Sequence, residues 1–300
     1  MCGINGVINT TEQPIVNSLF CKMRDSLAHR GPDDKGAFFD QYVALGHRRL
    51  SIIDTTSNGH QPFYSADGRY IMVFNGEIYN YKAFKNDLVA KGYTFQSNSD
   101  TEVLLYLYIA YGPKMLDRLN GMFAFAIWDR KNEQLFMARD RVGVKPLYYA
   151  AQPGYFAFAS EPKALFVYGV PKQIEEDNLS EWLFFRYVAG EKTLFKDVYS
   201  LLPGHYMYLS KVNQYQPQIT RWWNLSEEIR KQPTITHPEQ WFRETFYASI
   251  QNRMVSDVPV GILLSGGLDS SSVAAAVKAN NYESIHTFNV GFAHFKDDES

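Results

Sequence analysis

Short apolar or alternating runs dominate the first two hundred residues of the chain, and turn residues such as Asp67-Gly68 separate them. Runs of this kind predict strands buried on at least one face, at 70–74, 122–128, 134–138 and 155–159. Helices are predicted at 81–91, which stops before Gly92, and at 101–111, where Ser99 and Glu102 have the spacing of a capping box. This order of elements predicts two packed sheets flanked by helices.

The pattern changes near residue 205. Glutamine- and proline-rich stretches at 214–218 and 231–233 predict exposed connections. Beyond them we predict helix, strand, glycine loop, helix and strand, at 238–254, 260–264, 265–271, 270–279 and 285–290. This is one βαβ unit, the opening of a doubly wound parallel sheet. We therefore predict a first domain at 1–205, a connecting segment at 206–236 and a second domain at 237–300.

Composition narrows the class of protein. The 300 residues are 45% hydrophobic, which suffices for one large domain plus part of another. The net charge of -2, without a dense basic block, argues against a nucleic-acid partner. Only two cysteines, Cys2 and Cys21, are present, which supports neither a disulfide framework nor a cysteine zinc site and favours a reducing compartment. No apolar run approaches the ~20 residues of a membrane-spanning helix, so we expect a cytoplasmic protein without membrane contact.

Cys2 is the first candidate for chemistry. Removal of the initiator Met1 would leave a thiol and a free α-amine on this one residue. An α-amine has a reference pKa of about 7.7–8.0 and can accept the proton of a nearby thiol, so the pair forms a nucleophile with its own base. We therefore predict that the mature chain begins at Cys2. The alternative is that Cys2 is a small buried apolar residue, which is also our interpretation of Cys21.

Four motifs follow Cys2 in order: HRGPD at 29–33, HRRLSI at 47–52, NGEIYN at 75–80 and SD at 99–100. Together they resemble the class II glutamine amidotransferases, which are N-terminal-nucleophile hydrolases. RDRVGVKPLYY at 139–149 and ASEPKAL at 159–165 are similar to the segments that complete this domain in asparagine synthetases. The resemblance implies an α+β fold class, with a four-layer αββα domain followed by the beginning of a doubly wound parallel α/β domain of the PP-loop type.

The resemblance also implies roles for individual residues. Cys2 would attack the side-chain amide of glutamine, while the Asn75 side chain and the Gly76 backbone N–H stabilise the oxyanion. The remaining substrate contacts implied are Arg49 to the α-carboxylate, Glu77 and Asp100 to the α-ammonium, and Leu50 and Ile52. Taken alone, Asn75-Gly76 is also typical of a turn, Asp100 of a helix start and Arg49 of a surface cation.

The segment SGGLDSS at 265–271 lies between a predicted strand and a predicted helix, where backbone N–H groups can hold phosphates. It lacks the Gly-Lys-Ser/Thr ending of a Walker A loop and resembles the pyrophosphate-binding loop of enzymes that split ATP into AMP and pyrophosphate. By this resemblance Asp269 holds Mg²⁺, and ATP contacts Leu263, Leu264, Ser265, Gly267, Ser270, Ser271, Val290 and Gly291. The alternative is a glycine turn that caps the next helix.

The two halves together resemble glutamine-hydrolysing asparagine synthetases, in which ammonia passes through a tunnel to β-aspartyl-AMP and yields asparagine, AMP and pyrophosphate. The implied partners are glutamine, aspartate and ATP with Mg²⁺, and the glutaminase half needs no cofactor. A homodimer is left open. The alternatives are a paralogue that amidates a sugar or peptide carboxylate and a non-catalytic relative that binds glutamine or ATP. We expect the acceptor site to lie beyond Ser300, with the second domain truncated at Asp297–Ser300.

Overall fold

The computed structural model describes residues 1–280, 282 and 285–291, so the predicted truncation at Asp297–Ser300 lies outside the described residues. The chain forms two compact units, Met1–Ser226 and Glu227–Ser300. The strands of the first unit are β1 (Gly3–Asn9), β2 (Asp34–Phe39), β3 (Val43–Arg49), β4 (Phe63–Tyr64), β5 (Tyr70–Ile78), β6 (Gly121–Asp129), β7 (Gln134–Arg139), β8 (Tyr148–Gln152), β9 (Tyr155–Ala159), β10 (Tyr199–Ser200), β11 (His205–Ser210) and β12 (Gln218–Arg221). Its helices are α1 (Asn17–Asp25), α2 (Tyr81–Ala90), α3 (Asp100–Tyr111), α4 (Pro162–Tyr168) and α5 (Leu179–Phe185).

These strands form two six-stranded antiparallel sheets. Sheet A has the order β10-β8-β9-β1-β3-β2, and sheet B has the order β12-β11-β7-β6-β5-β4. The four strand runs predicted from the sequence are confirmed as parts of β5, β6, β7 and β9. Each of these strands is mostly buried, because sheet faces pack against further layers on both sides.

The layers follow from two separate hydrophobic clusters. One cluster fills the gap between the sheets, with Ile4 and Leu45 from sheet A and Val73 and Met137 from sheet B. The other lies between the outer face of sheet A and helices α1 and α4. Helix α3 covers sheet B, where the ring of Tyr108 stacks on Phe136 with centroids 4.8 Å apart. The layer order is helix, sheet, sheet, helix, so the predicted αββα fold is confirmed.

The two helices predicted in the first unit are confirmed as α2 and α3, but the capping box at α3 forms only in part. The Ser99 hydroxyl accepts a hydrogen bond from the Thr101 N–H at 3.1 Å, as a cap should. Glu102 does not return to the Ser99 N–H. Its carboxylate instead accepts the N–H groups of Gln96 and Ser97, at 2.9 and 2.7 Å. The preceding loop therefore supplies the donors that satisfy this buried carboxylate.

Strands β11 and β12 occupy part of the segment that the sequence assigned to a connection. Strand β11 pairs with β7, and its alternate residues Met207 and Leu209 are fully buried in the cluster between the sheets. All four residues of β12 are exposed on the edge of the sheet. An exposed polar edge strand has no hydrophobic alternation to reveal it. We infer that the first domain extends through β12.

The second unit contains the predicted βαβ arrangement. Its elements are α6 (Leu225–Lys231, which begins at the end of the first unit), α7 (Pro238–Arg253), β13 (Gly261–Leu263), α8 (Leu268–Ala279) and β14 (His286–Phe288). Strands β13 and β14 are parallel neighbours, and α8 connects them. Ile250 of α7, Ile262 of β13 and Val277 of α8 form a small buried cluster.

Candidate active site

The candidate site lies at one end of the gap between the two sheets of the first unit. Alternate residues of β1, β3 and β5 point into this gap, and in its interior they are apolar and buried, as at Ile4, Leu45 and Val73. Toward one end the same alternation places polar or reactive side chains, at Cys2, His47, Arg49, Asn75 and Glu77. The same face of each strand is therefore apolar inside the gap and polar at its end, where the pocket lies.

A cavity of about 250 Å³ opens at this end. The residues that the sequence assigned to glutamine chemistry all line it: Cys2, Arg49, Leu50, Ile52, Asn75, Gly76, Glu77 and Asp100. Met1 also lines the cavity. The fold therefore brings together residues from four separate sequence segments, while their individual roles remain predictions.

The Cys2 thiol sits beside the backbone of Leu50. Its Sγ accepts the Leu50 N–H at 3.4 Å and lies 3.6 Å from the Leu50 carbonyl oxygen, to which the thiol proton can be donated. Burial raises the pKa of the Cys2 thiol and outweighs the hydrogen bonding to Leu50 and the nearby charges of the N-terminus, Arg49 and Lys145, which lower it. The thiolate nucleophile therefore depends on its cationic neighbours.

Arg30 fixes the backbone of Cys2. Its Nε donates to the Cys2 carbonyl at 2.9 Å, and its Nη1 donates to Glu161 at the same distance. His29 and Lys163 also contact the Glu161 carboxylate. Burial raises the pKa of Glu161, but hydrogen bonds from these three basic residues outweigh it and lower the pKa to about 2. The sequence motifs at 29–33 and 159–165 thus meet behind the nucleophile, a role that sequence reasoning did not assign to them.

Asn75 and Gly76 lie on β5 opposite β6. The Asn75 side chain is 1% exposed, and neither of its amide atoms has a hydrogen-bond partner among the described residues. A buried amide of this kind is costly unless it meets a ligand or water. A Cβ at position 76 would lie 2.2 Å from the Met122 carbonyl oxygen, so only glycine fits there. Among the described residues, Asn75 thus offers an unpaired amide in the cavity wall, beside a glycine that the packing against β6 requires.

The Arg49 guanidinium is buried and bonded to the loop that follows β3. Nη1 donates to the Thr56 carbonyl and Nη2 to the Ile53 carbonyl, both at 3.1 Å, and Nη2 also donates to the Asp54 carbonyl. A Cβ at Gly59 would clash with Nη2, so glycine makes room for the guanidinium. Arg49 therefore shapes the pocket wall, in addition to the carboxylate contact that the sequence predicts for it.

Two carboxyl groups and one amine complete the pocket. Burial raises the pKa of Glu77 and raises that of Asp100 to about 7. Lys145 is 5% exposed, and burial lowers its pKa, opposed by the charges of Glu77 and Cys2. Lys145 was not assigned a role from the sequence. The sole sequence signal for it is its position in the motif at 139–149, where Asp140 accepts the Lys145 N–H at 3.0 Å and thereby fixes the loop.

The phosphate loop belongs to the second unit. Ser265 and Val290 follow β13 and β14, so both lie at the carboxyl ends of adjacent parallel strands, where ligands bind in such sheets. Gly266 has a φ of 84°, which favours glycine. The Ser270 hydroxyl lies 3.2 Å from that of Ser265 and donates to the Gly267 carbonyl. Asp269 is exposed in the first turn of α8. The loop thus offers hydroxyls, backbone N–H groups and one carboxylate, a donor set that fits a triphosphate with its cation.

The remaining residues assigned to ATP lie around this loop. Leu263, Val290 and Gly291 are exposed, and Leu264 is partly buried. The Leu264 N–H donates to the Phe288 carbonyl at 2.8 Å, which holds the two strand ends together. Ser271 lies in the same first turn of α8, and its N–H donates to the Gly267 carbonyl at 3.0 Å. An exposed apolar border beside a polar loop suits an adenosine, and this assignment stays a prediction.

The first unit is a glutamine amidotransferase domain by its sequence. The sequence profile of the Glutamine amidotransferase domain matches residues 1–223, and that of Asparagine synthase matches residues 241–300. The chain belongs to the glutamine amidotransferase family, in the group that joins this domain to an asparagine synthase domain.

Curated relatives agree with this membership. Asparagine synthetase [glutamine-hydrolyzing] 1 of Bacillus subtilis is 39% identical over 300 residues, which covers 97% of this chain and 46% of that protein. Amidase chry2 of Gibberella zeae is 36% identical over 296 residues, covering 92% of this chain and 43% of that protein. The chain thus spans about half the length of the curated relatives it matches.

A solved structure supports the fold. Glutamine phosphoribosylpyrophosphate amidotransferase of B. subtilis is similar, with a TM-score of 0.57 at 19% identity, over 98% of this chain and 67% of that one. In the part of the chain that the structure describes, no helix is long and apolar enough to cross a bilayer. Nor do three His, Cys, Asp or Glu residues within that part gather into a metal-binding group.

Proposed function

We propose that this chain hydrolyses glutamine at Cys2 and that the ammonia released serves an ATP-dependent asparagine synthesis. The observation that carries the proposal is the single cavity that Cys2, Asn75, Gly76 and the carboxylates Glu77 and Asp100 share. Hydrolysis of a free amino-acid amide requires a nucleophile, donors for the oxyanion, and carboxylates that bind the α-ammonium group.

The steps follow from the chemistry of these residues. Once Met1 is removed, the Cys2 α-amine takes the thiol proton, and the thiolate attacks the side-chain carbonyl carbon of glutamine. The Asn75 amide and the Gly76 N–H stabilise the oxyanion that forms. The α-ammonium returns its proton to the leaving nitrogen, the C–N bond breaks, and ammonia departs. Water then attacks the thioester, releases glutamate and restores the thiol.

The second half of the proposal rests on the phosphate loop and on the relatives. The hydroxyls of Ser265 and Ser270 and the N–H groups at the start of α8 would hold the phosphates of ATP. Asp269 would be one ligand of Mg²⁺, which neutralises phosphate charge when bound. The acceptor would be the β-carboxylate of aspartate, which ATP converts to an acyl adenylate that ammonia attacks. We further propose a cytoplasmic protein that binds no nucleic acid and can form homodimers.

Glutaminase activity is tested with the 300-residue chain. Glutamate should form from glutamine without ATP, and Cys2→Ala should abolish this activity, whereas Cys21→Ala should not. Intact mass should show that Met1 is absent from active protein. Equal activity in Cys2→Ala and the parent chain would refute the proposal for the first unit.

The acceptor needs a separate experiment, because the amidase relative from Gibberella zeae is almost as similar as the asparagine synthetases. A paralogue that amidates another carboxylate is therefore the second candidate. In a protein that contains this chain and a whole asparagine synthase domain, aspartate should stimulate pyrophosphate release from ATP, and Asp269→Asn should prevent it. Release that aspartate does not stimulate would favour the second candidate.

A further inference from the structure

The outer edge of β5 loses its strand partner just before the oxyanion residues. Strand β4 has only two residues, Phe63 and Tyr64, which pair with Met72 and Ile71. The next position on that edge is Phe74. Two buried side chains bond its backbone there, because Gln61 Oε1 accepts the Phe74 N–H at 2.7 Å and His47 Nε2 lies 3.0 Å from the Phe74 carbonyl oxygen.

The backbone direction of Gly76 follows from its neighbours. In an antiparallel strand, N–H and C=O groups alternate between the two edges, so those of Phe74, Gly76 and Ile78 point the same way. The Ile78 N–H on this edge donates to Asp100 at 2.9 Å. On the opposite side Phe123 faces Gly76, but its own N–H and carbonyl bond to Asp140 at 3.1 and 2.8 Å. The Gly76 N–H is therefore directed away from β6, at the edge that borders the cavity.

The chemical state of His47 is defined by its burial. The ring is fully buried on β3, and burial lowers the pKa of His47 to about 3, so the imidazole is neutral at physiological pH. A carbonyl can only accept, so the Nε2 that faces Phe74 carries the proton. His47 Nδ1 meets no partner among the described residues. Within the described residues, the His47 ring therefore makes its hydrogen bond through Nε2, to the Phe74 carbonyl oxygen.

Gln61 links the two elements that carry the proposed site. Its side chain is 4% exposed and lines the cavity. While Oε1 holds β5 at Phe74, Nε2 donates to the Thr101 hydroxyl at 3.4 Å, in the first turn of α3. Asp100 belongs to that same turn. One amide therefore joins the strand of Asn75 and Gly76 to the helix of Asp100.

We propose that His47 and Gln61 are positioning residues that replace the missing strand at Phe74 and thereby fix the Gly76 N–H and the Asn75 amide for the oxyanion. The inference rests on the proposed glutaminase function. Donors that act on charge developed only in the transition state affect kcat more than KM. A misplacement of about 1 Å in such a site can cost up to about 100-fold in rate.

Two variants of His47 provide a matched test in the 300-residue chain. Both replace the neutral imidazole by a neutral amide, but only the side chain in His47→Gln reaches far enough to place an N–H where Nε2 lies. His47→Gln should keep kcat within about 3-fold of the parent chain, whereas His47→Asn should lower kcat at least about 10-fold with little change in KM. Equal kcat in the two variants, or an effect confined to KM, would overturn the inference.

Gln61 supplies a second pair in case a His47 variant does not fold, as circular dichroism would reveal. Gln61→Glu keeps an oxygen acceptor for the Phe74 N–H, and Gln61→Leu removes it, so Gln61→Glu should retain at least about 10-fold more kcat. Comparable kcat in the two would overturn the inference at this residue. A parent chain that hydrolyses no glutamine would instead refute the proposed function itself, so the two failures are distinguishable.

A further readout uses L-glutamate γ-semialdehyde as the probe. Addition of the Cys2 thiol across its aldehyde gives a thiohemiacetal, with the new oxygen where the oxyanion would form. The inhibition constant of the semialdehyde should rise in His47→Asn in proportion to the loss of kcat/KM. In His47→Gln it should stay near the value of the parent chain. Unchanged inhibition in His47→Asn would show that the oxyanion donors had not moved, which contradicts the inference.

Discussion

The Oδ2 atom of Asp100 accepts a hydrogen bond from the backbone N–H of Ile78 at 2.9 Å. This bond ties the first residue of α3 to the outer edge of β5, two residues beyond Gly76. Asp100 is 4% exposed, and its burial raises the pKa of the carboxyl to about 7. The group proposed to receive the α-ammonium of glutamine therefore titrates near neutral pH, and its ionisation should govern substrate affinity.

The first prediction concerns the KM for glutamine. Because Asp100 becomes a carboxylate as the pH rises through about 7, KM should fall between about pH 6 and pH 8. Asp100→Asn should raise KM about 10-fold or more and remove this pH dependence, since a charge-assisted hydrogen bond contributes about 1.5–3 kcal/mol. Initial rates of glutamate formation across this range provide the measurement. The exposed Asp117→Asn serves as the control, and an Asp100→Asn profile that matched it would contradict the assignment.

Stability should depend on the same carboxyl group. Its folded-state pKa of about 7 exceeds the unfolded value of 3.8, so the folded state binds the proton more tightly. The stability that this proton contributes is complete below about pH 4 and is lost as the pH rises through about 7. Urea unfolding at several pH values should show a smaller loss of stability over that range in Asp100→Asn than in the parent chain. If the free energy of unfolding changed equally with pH in both proteins, the pKa of Asp100 would not be raised.

Lys145 should favour the ionised form of the Cys2 thiol. Its positive charge lowers the pKa of the Cys2 thiol, which burial raises. Lys145→Met should therefore shift the acidic limb of the kcat/KM profile to higher pH, while Lys145→Arg keeps the charge and should shift it less. The pH profile for glutamine hydrolysis gives the result. If the acidic limb of the kcat/KM profile did not move in Lys145→Met, the charge of Lys145 would not affect the ionisation of Cys2.

Asp140 should contribute to the stability of the folded chain. Its buried carboxylate accepts four backbone N–H groups, from Phe123, Val142, Val144 and Lys145, at 2.9–3.2 Å. Asp140→Ala leaves these donors without their acceptor, so we expect a loss of about 3 kcal/mol or more in the free energy of unfolding. Urea denaturation measures it, with the exposed Asp117→Ala expected to change stability by less than about 0.5 kcal/mol. A loss of that small size in Asp140→Ala would contradict the role assigned to this carboxylate.

The sequence predicted the buried strands well, because alternation and turn residues mark strands such as β6 and β7 locally. Several residues that line the pocket could also be named from the sequence, since Cys2 and the motifs around Arg49 and Asn75 occur in a recognisable order. The edge strand β12 was not predicted. Its residues are all exposed, so no hydrophobic pattern distinguishes them from a loop.

The supporting residues of the pocket could not be derived from sequence for a different reason. Gln61 meets Phe74 beside the β4–β5 pair, and Arg30 meets Glu161 across 131 residues of sequence, so both contacts exist only in the folded backbone. Each of these side chains alone reads as an ordinary polar residue. Glu102 illustrates the same limit, because its spacing from Ser99 indicates a capping box while its carboxylate bonds to Gln96 and Ser97 instead.

The proposed hydrolysis requires a covalent thioester between Cys2 Sγ and the γ-carbonyl carbon of glutamine. The most direct measurement is acid quenching of the chain during turnover of glutamine, followed by peptide mass spectrometry. We expect a γ-glutamyl group on the peptide that begins at Cys2, and no such adduct in Cys2→Ala. Glutamate production that continues in Cys2→Ala, or turnover by the parent chain with the adduct on Cys21 instead, would contradict it.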